Sequence, residues 1–578
     1  MDNKIIADMF DEIASMLSLD ERPTARFEVR AYQKAALTIS GLQEAIEDIY
    51  KKGGKEALMA LPGIGKGIAG SIAEYIDTGH MEKYEYLKKE YPIDMKGLTS
   101  IQGLGPRKAV ALYKELGVKD IKTLKKAIAS HKIAKLEGFG EKSEGLMLKG
   151  IALLERSSGR MLLGDALPVA EAIVDKLNKS GLVEEALVAG SARRMRETVG
   201  DLDILAISEK SAQVMKFFAA LSEVEELIAE GPTRTSVRLK IGLNCDLRVI
   251  PKESFGAALQ YFTGSKDHNV QVRTISVKKG YRLNEYGLFD KKGKIMPTKS
   301  EKEIYAKLGM QWMPPEMRES RGEVKLAQEG ALKMPIELSD IKGDMHTHGM
   351  DGVENVDTLE VMVDAAMKLG LKYLASTNHT KVLRIERGMD EKQFEIFFKK
   401  VDALNKKLDG KIKILKGAEV DILKDGSLDL NAKCLGTMEW VVGSVHSDFG
   451  MSEEDMTKRI VKAIDSGLID VVGHPTGRQM PSRDAYKVDL DRVYESAERN
   501  RVALEIDASP KRLDLNDTNI MNASKYKVKF SIDSDAHRTP QFAYMRYGVG
   551  TARRGWLTKD RIINTMTLKE LSKYLDLK

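Results

Sequence analysis

Cysteine is almost absent: Cys245 and Cys434 are the two in 578 residues, far apart and each inside an apolar run. Two distant thiols make neither a disulfide framework nor a Cys-rich zinc ribbon, so a reducing compartment is the expected setting. No apolar run reaches the roughly 20 residues that span a bilayer. The opening "MDNKIIADMFDEIASML" is an amphipathic helix with acids in it, lacking the basic start and apolar core of a secretion signal. A cytoplasmic protein without membrane attachment is expected. Excess charge is missing too. Lys and Arg number 92 against 86 Asp and Glu, a net of +6, so any nucleic-acid surface must be local rather than global. Histidine is scarce, with nine in all, which makes its placement informative.

What is present is length and a change of style along the chain. At 578 residues one core is not enough, and three to five domains are expected. Residues 1–150 read as short helices broken by glycine turns. A weak repeat runs through them: "LPGIGKGIA" (61–69), "IQGLGPRKA" (101–109) and "LEGFGEKSE" (136–144). From residue 160 longer strands and helices take over. The stretch "QWMPPEMRESRGEVKLAQEG" (311–330) is charged and proline-containing, and Pro314 and Pro315 end whatever precedes them. It reads as a connector, with a linker expected over 319–338.

After it, apolar runs of strand length each end in a potential ligand. "LKYLASTNH" ends at His379, "KIKILKGAE" at Glu419, "WVVGSVH" at His446 and "IDVVGH" at His474. "VALEID" ends at Glu505 and Asp507, and "KFSIDSDAH" at Asp535 and His537. Helical stretches lie between. Strand, ligand, helix, repeated, is the pattern of a β/α barrel with its site at the C-terminal ends of parallel strands. The segment opens on "KGDMHTHGMDG" (342–352), where His346 and His348 alternate on a strand and so face one side. All six histidines after residue 300 fall in these positions. With Asp351, Glu419 and Asp535 they offer nine ligands, enough for two or three ions. A mixed His/carboxylate shell suits Zn²⁺ or Mn²⁺, and clustered divalent ions suit phosphoester hydrolysis.

The stretches "GDMHTHGMDG", "STNHT", "GAEVDI", "GSVHSDF", "GHPTGR", "ALEIDASPKRLDL" and "SDAH" resemble the PHP (polymerase and histidinol phosphatase) domain. The resemblance covers 339–578 and implies a distorted β/α barrel with a trinuclear metal site. Two departures stand out. Asp351 follows His348 by three residues where the family has a longer loop, and Asn378 stands where an aspartate commonly precedes the histidine. An ion held less firmly, and activity more dependent on added metal, is the expectation.

A second constellation lies upstream in "GSARRMRETVGDLDIL" (190–205). Asp201 and Asp203 alternate on a strand, and Asp246 lies in "NCDLRVI". Three carboxylates in an apolar sheet are costly unless a cation neutralises them. Gly190, Ser191 and Arg194 form a glycine-serine turn at a helix start with a cation beside it, the composition of a triphosphate cradle. Two Mg²⁺ on the aspartates would suit nucleotidyl transfer.

Residues 1–320 resemble the family X DNA polymerases, the DNA polymerase beta group. "YFTGSKDHNVQVR" (261–273) is similar to their nucleotide pocket. The resemblance implies that Tyr261 and Phe262 crowd the incoming sugar and disfavour ribonucleotides, that Gly264 is part of the nucleotide-binding site, and that Asn269 and Arg273 touch the minor groove near the nascent pair. It implies a triphosphate-binding role for Arg160, and a thumb in "NEYGLF" and "EIYAKLGMQWMPPEMRE". Ala192 replaces a common aromatic. The glycine turns read as helix-hairpin-helix elements, in which backbone N–H groups of Gly63, Gly65, Gly103 and Gly105, with Lys66, hold phosphates without reading sequence. Lyase members of the family carry a Schiff-base lysine where this chain has Ser71, and serine forms no imine.

The expected organisation is multidomain α+β and α/β. A DNA-binding domain with a helix-hairpin-helix (1–85) precedes a fingers-like helical domain (86–155). A nucleotidyltransferase palm (156–255), a thumb (256–318), the linker (319–338) and the PHP domain (339–578) follow. The expected activity is short-gap filling in DNA repair by a monomer, on gapped or primer-template DNA with dNTPs, joined to a metal-dependent 3′-5′ exonuclease or phosphoesterase. Two other readings of the last domain stand beside it: a structural module with a decayed site, and a phosphatase for small phosphates.

Overall fold

Spacing of apolar residues at three and four positions sets the amino-terminal helices. In α1 (Asn3–Leu17) the buried stripe is Ile6, Phe10, Ile13 and Leu17, and in α2 (Ala25–Gly41) it is Tyr32, Ala35, Ala36 and Ile39. Phe10 meets Tyr32 edge to face at 5.2 Å between ring centroids. α3 (Ile46–Met59) and α4 (Lys66–Thr78) close that core with Leu58, Ile68 and Ile72. A second helical core gathers α5 (Met95–Thr99), α6 (Pro106–Leu116) and α7 (Ile121–Ala129) around Leu98, Leu104, Leu112 and Leu124. The structure is a computed structural model. It describes residues 3–19, 22, 25–41, 46–61, 63–99, 101, 104–136, 139, 140, 143–145, 147, 148, 151, 160–350, 356–383, 387–480 and 482–575.

The central unit is a mixed sheet with helices against it. α8 (Leu163–Lys179) leads into β1 (Glu185–Val188), then the single turn α9 (Gly190–Arg193) and β2 (Asp201–Ile207). β3 (Val224–Glu230), β4 (Arg234–Leu239) and β5 (Asn244–Ile250) complete five strands in the order β1-β2-β5-β4-β3. β2 and β5 run parallel, with Asp203 opposite Asp246. α10 (Phe255–Thr263) and α11 (Lys266–Lys278) follow, then a three-stranded sheet and α12 (Glu301–Lys307).

Residues 319–338, expected as a linker, are packed against folded cores: α13 (Glu323–Glu329) and Leu332 join this body, and Ile336 is buried in the core of the unit that follows. α13 buries Val324 and Ala327 in the same core as Ile304, Tyr305 and Met313. The charges that suggested a solvated connector have buried partners instead. Glu323 is 0% exposed and lies 2.7 Å from His268 Nδ1. Arg318, also 0% exposed, pairs with Glu301 at 2.5 Å.

The last unit holds seven parallel strands in sequence order. They are β6 (Gly343–Thr347), β7 (Tyr373–Ser376), β8 (Lys413–Asp421), β9 (Trp440–Ser444), β10 (Val471–Val472), β11 (Ala503–Asp507) and β12 (Phe530–Asp533). A bridge from Thr347 to Ala536 brings the last strand's end back beside the first, so the sheet is a nearly closed barrel. Helices cover its outside: α14 (Glu391–Leu408) lies between β7 and β8, and α15 (Met545–Arg554) follows the last strand. Strands buried on both faces explain why these segments are apolar runs rather than alternating ones. Among the described residues no helix is long and apolar enough to cross a membrane.

Candidate active sites

In the mixed sheet, pleating puts Asp201 and Asp203 on one face of β2, and the parallel register sets Asp246 beside Asp203. Gly190 makes room for Asp203. Its φ is +63°, and a Cβ there would stand 2.4 Å from Asp203 Oδ2. Arg234 Nη2 donates to Asp246 Oδ2 at 2.8 Å. Burial would raise the Asp246 pKa, but Arg234 and Arg248 outweigh it and hold the carboxyl below its usual range. Three oxygen donors on one face suit a hard divalent cation. They are not drawn as tightly together as the barrel ligands below: among the described residues, ligand groups within 4.8 Å of one another occur in the barrel.

α9 and α10 pack against β2, and the other expected nucleotide-site residues lie on or beside these elements and on α11. Arg160 Nε donates to Thr198 Oγ1 at 2.9 Å, beside the start of β2. Ser191 is in α9, and Arg194 follows it directly. A Cβ on Gly264 would meet Arg194 Nη1 at 3.0 Å. Tyr261 and Phe262 close α10 with rings edge to face at 5.1 Å, and the Arg248 guanidinium lies over Phe262 at 4.6 Å. Asn269 and Arg273 are one turn apart on α11. Asn269 Nδ2 donates to Tyr261 O at 2.7 Å, which ties the helix to the aromatic pair.

All three glycine turns lie partly among the described residues. Gly63 has φ +83° and its open side is filled by the Lys34 stem. Gly65 and Gly105 precede α4 and α6 with no side chain capping the helix, and Lys66 is exposed. Gly103 and part of the 136–144 copy lie outside the described residues. Ser71 Oγ donates to Gly67 O at 3.4 Å.

At the barrel mouth the six histidines and two acids converge. Glu419 is the hub: His379 Nδ1 is 2.7 Å from its Oε2, while His474 Nε2 and His446 Nε2 are 2.9 and 3.1 Å from its Oε1. His348 Nε2 lies 3.1 Å from Asp535 Oδ1, and His537 stacks on His348 at 4.0 Å. Three groups have ligand atoms within 4.8 Å of one another: His348, His379 and His537; His346, His348 and Asp535; and His379, Glu419 and His446.

The orientation of these atoms matters more than their closeness. His346 Nε2, His379 Nδ1 and Glu419 Oε2 are buried, yet none makes a hydrogen bond. They crowd without pointing at one another, as atoms aimed at a shared cation do, and a buried polar atom left so is otherwise costly. The donor set therefore fits a metal cluster. Asp351 lies outside the described residues.

Three acids beside the cluster stand outside the nine expected ligands: Glu505 and Asp507, potential ligands at a strand end, and Asp421, which the sequence does not single out. Glu505 Oε1 lies 2.6 Å from His346 Nδ1, Asp421 Oδ2 lies 3.2 Å from His446 Nδ1, and Asp507 pairs with Arg512 at 3.1 Å. A carboxylate on the far ring nitrogen fixes a ligating histidine's tautomer and orientation. The signal was present: Asp421 sits two residues beyond Glu419 on one strand, and Glu505 two before Asp507. Burial works against charge on His446, but Glu419 and Asp421 outweigh it and raise its pKa to about 10.

Asn378, which stands where an aspartate is common in the family, binds the backbone of the loop after His348. Its Nδ2 donates to Gly349 O at 3.2 Å and its Oδ1 accepts from Gly349 N at 2.9 Å. The loop after His348 needs a donor and an acceptor there, which an amide supplies and an ionised carboxylate does not.

Known protein families match along the chain. The helix-hairpin-helix domain matches residues 1–81, the SAM-like helix-hairpin-helix tandem 95–152, the DNA polymerase beta thumb 258–319 and the PHP domain 344–509. The DNA polymerase/3'-5' exonuclease PolX of Bacillus subtilis (strain 168) is 36% identical over 581 residues, 100% of this chain and 99% of the relative. A probable phosphatase of Thermoanaerobacter sp. (strain X514) is 27% identical over 232 residues, 38% of this chain and 89% of the relative. One of Aliivibrio fischeri (strain ATCC 700601 / ES114) is 28% identical over 239 residues, 40% and 91%. With a full-length relative above a third identical and the thumb and barrel families both matched, this chain belongs to the PolX family, a family X polymerase body carrying a C-terminal PHP domain.

Proposed function

We propose that this protein fills short gaps in DNA and trims 3′ ends, with polymerisation in the mixed-sheet palm and 3′-5′ exonuclease activity in the barrel. Asp201, Asp203 and Asp246 hold two Mg²⁺. Arg160, the Gly190–Ser191 turn and Arg194 hold the triphosphate. Tyr261, Phe262 and Gly264 border the sugar, and Asn269 and Arg273 the nascent pair. Gly63, Gly65, Lys66, Gly103 and Gly105 hold backbone phosphates on either side of the gap. His346, His348, Asp351, His379, Glu419, His446, His474, Asp535 and His537 hold two or three Mn²⁺ or Zn²⁺. When bound, such ions supply an activated nucleophile and charge neutralisation at the phosphate. The chain's own part is to place the acids, orient the imidazoles through Glu505 and Asp421, and keep water off the buried ligand atoms. The protein works as a cytoplasmic monomer.

The observation that carries this reading is the pair of separate donor clusters in one chain, three acids beside Gly190 and the hub around Glu419, in a PolX family member. The matches to probable phosphatases over the barrel favour a second reading, in which that site takes small phosphates. A labelled primer on gapped DNA separates the two. Extension with dNTPs in Mg²⁺ and stepwise shortening without them in Mn²⁺ support the proposal. Extension without shortening, with turnover of a small phosphomonoester, supports the second reading.

A further inference from the structure

The loop after α9 carries Arg194, and its guanidinium is fixed on two edges. Nε donates to Glu319 Oε1 at 3.0 Å, and Nη1 donates to Thr263 O. Glu319 is held in turn from the barrel. Arg554, at the end of α15, donates from Nη1 to Glu319 Oε1 at 2.8 Å and to Arg194 O at 2.9 Å. Its Nη2 donates to Asp517 Oδ2 at 2.5 Å. All four side chains are sheltered: Arg194 is 13% exposed, Glu319 11%, Arg554 4% and Asp517 15%. The packing is close there as well, since a Cβ on Gly550 in the same helix would meet the Met195 side chain at 2.7 Å.

We infer that Glu319 and Arg554 are positioning residues of the polymerase nucleotide site, so that a helix of the PHP barrel sets the aim of the triphosphate-binding arginine. This rests on the reading of Arg194 as a triphosphate ligand given above. A free arginine samples many rotamers, and ordering it on nucleotide binding costs side-chain entropy. Here that ordering is done in advance. Nε and Nη1 are committed to Glu319 and Thr263, which leaves the remaining edge for phosphate oxygens. Glu319 alone could swing away, and the Arg554 contact to both its carboxylate and the Arg194 carbonyl prevents that. Burial opposes charge on Glu319, but Arg194 and Arg554 outweigh it and keep the carboxylate ionised, so the chain of alternating charges is complete. The pairing also explains why an arginine nearly buried in the barrel domain faces the palm rather than its own metal cluster.

The test is steady-state filling of a one-nucleotide gap by the full-length protein. Arg554→Met should raise the dNTP KM about tenfold, the loss expected for a charged hydrogen-bonding partner. The kcat should change less than about threefold, and 3′-end shortening should persist. The near-isosteric Glu319→Gln should do the same if Arg554→Met folds poorly. In an Arg194→Gln background, Arg554→Met should add less than about twofold, because the contact it supports is already gone. A full additional tenfold loss there overturns the relay. So does an unchanged dNTP KM in both Arg554→Met and Glu319→Gln. An unchanged KM in Arg194→Gln itself overturns the triphosphate reading beneath it, which the other arms do not touch.

Discussion

Gly190→Ala puts the palm geometry to a sharp test. The backbone at Gly190 has φ +63°, and a Cβ there would stand 2.4 Å from Asp203 Oδ2, where ordinary contact begins at 3.4 Å. The carboxylate must therefore retreat by about 1 Å, or the turn must shift by as much. The left-handed backbone adds strain of about 1–2 kcal/mol for a residue with a Cβ. That strain is small for a protein of this size, but a 1 Å misplacement of a group at the reacting centre costs about 10²-fold in rate. Gly190→Ala should thus lose about 10²-fold in kcat for gap filling while remaining folded and keeping 3′-end shortening. Single-turnover extension of a labelled primer reads the rate, and thermal unfolding reads the fold. Extension within about threefold of wild type would refute the close approach of Gly190 to Asp203 and with it the placement of that carboxylate.

Glu505→Gln should leave the barrel folded and weaken metal binding about 10–100-fold, because it removes the carboxylate on His346 Nδ1; titration calorimetry with Mn²⁺ checks it, and an unchanged affinity counts against that role. Glu301, opposed by burial but outweighed by Arg318 and Arg193, has its pKa lowered from 4.5 to about 2. A depressed carboxylate stabilises above its unfolded pKa, so the stability it contributes, on the order of 3 kcal/mol, is present above pH 4.5 and drains away as pH falls toward 2. Thermal unfolding of wild type and Glu301→Gln across pH 7 to 3.5 should therefore show a gap that narrows below pH 4.5. Borohydride should fail to trap the protein on an incised abasic site, since Ser71 forms no imine; efficient trapping that survives Lys66→Ala would mean another lysine serves.

Much of the barrel was legible because its chemistry is concentrated. Parallel strands buried on both faces leave apolar runs, and polar side chains at their ends stand out against that background. The six barrel histidines, Glu419 and Asp535 do gather at one mouth. The partners behind them were harder to see. Glu505 stands out at a strand end and Asp421 does not, but nothing in the sequence says which histidine either one touches, and only the distances to His346 and His446 reveal it. The folded course of 319–338 was hidden for a related reason. Its charges signal solvent in a sequence, and only the burial of Glu323 against His268 and of Arg318 against Glu301 shows them satisfied inside. Asn378 read as a lost carboxylate, whereas the backbone of Gly349 needs both faces of an amide.

Two separate sites in one chain is the central claim, and one labelled primer on gapped DNA tests it most directly. Asp203→Ala should abolish extension and keep 3′-end shortening in Mn²⁺. The doubly substituted His346→Ala, His348→Ala protein should keep extension in Mg²⁺ and lose shortening. Shortening that survives the histidine changes, or extension that survives Asp203→Ala, would contradict the account.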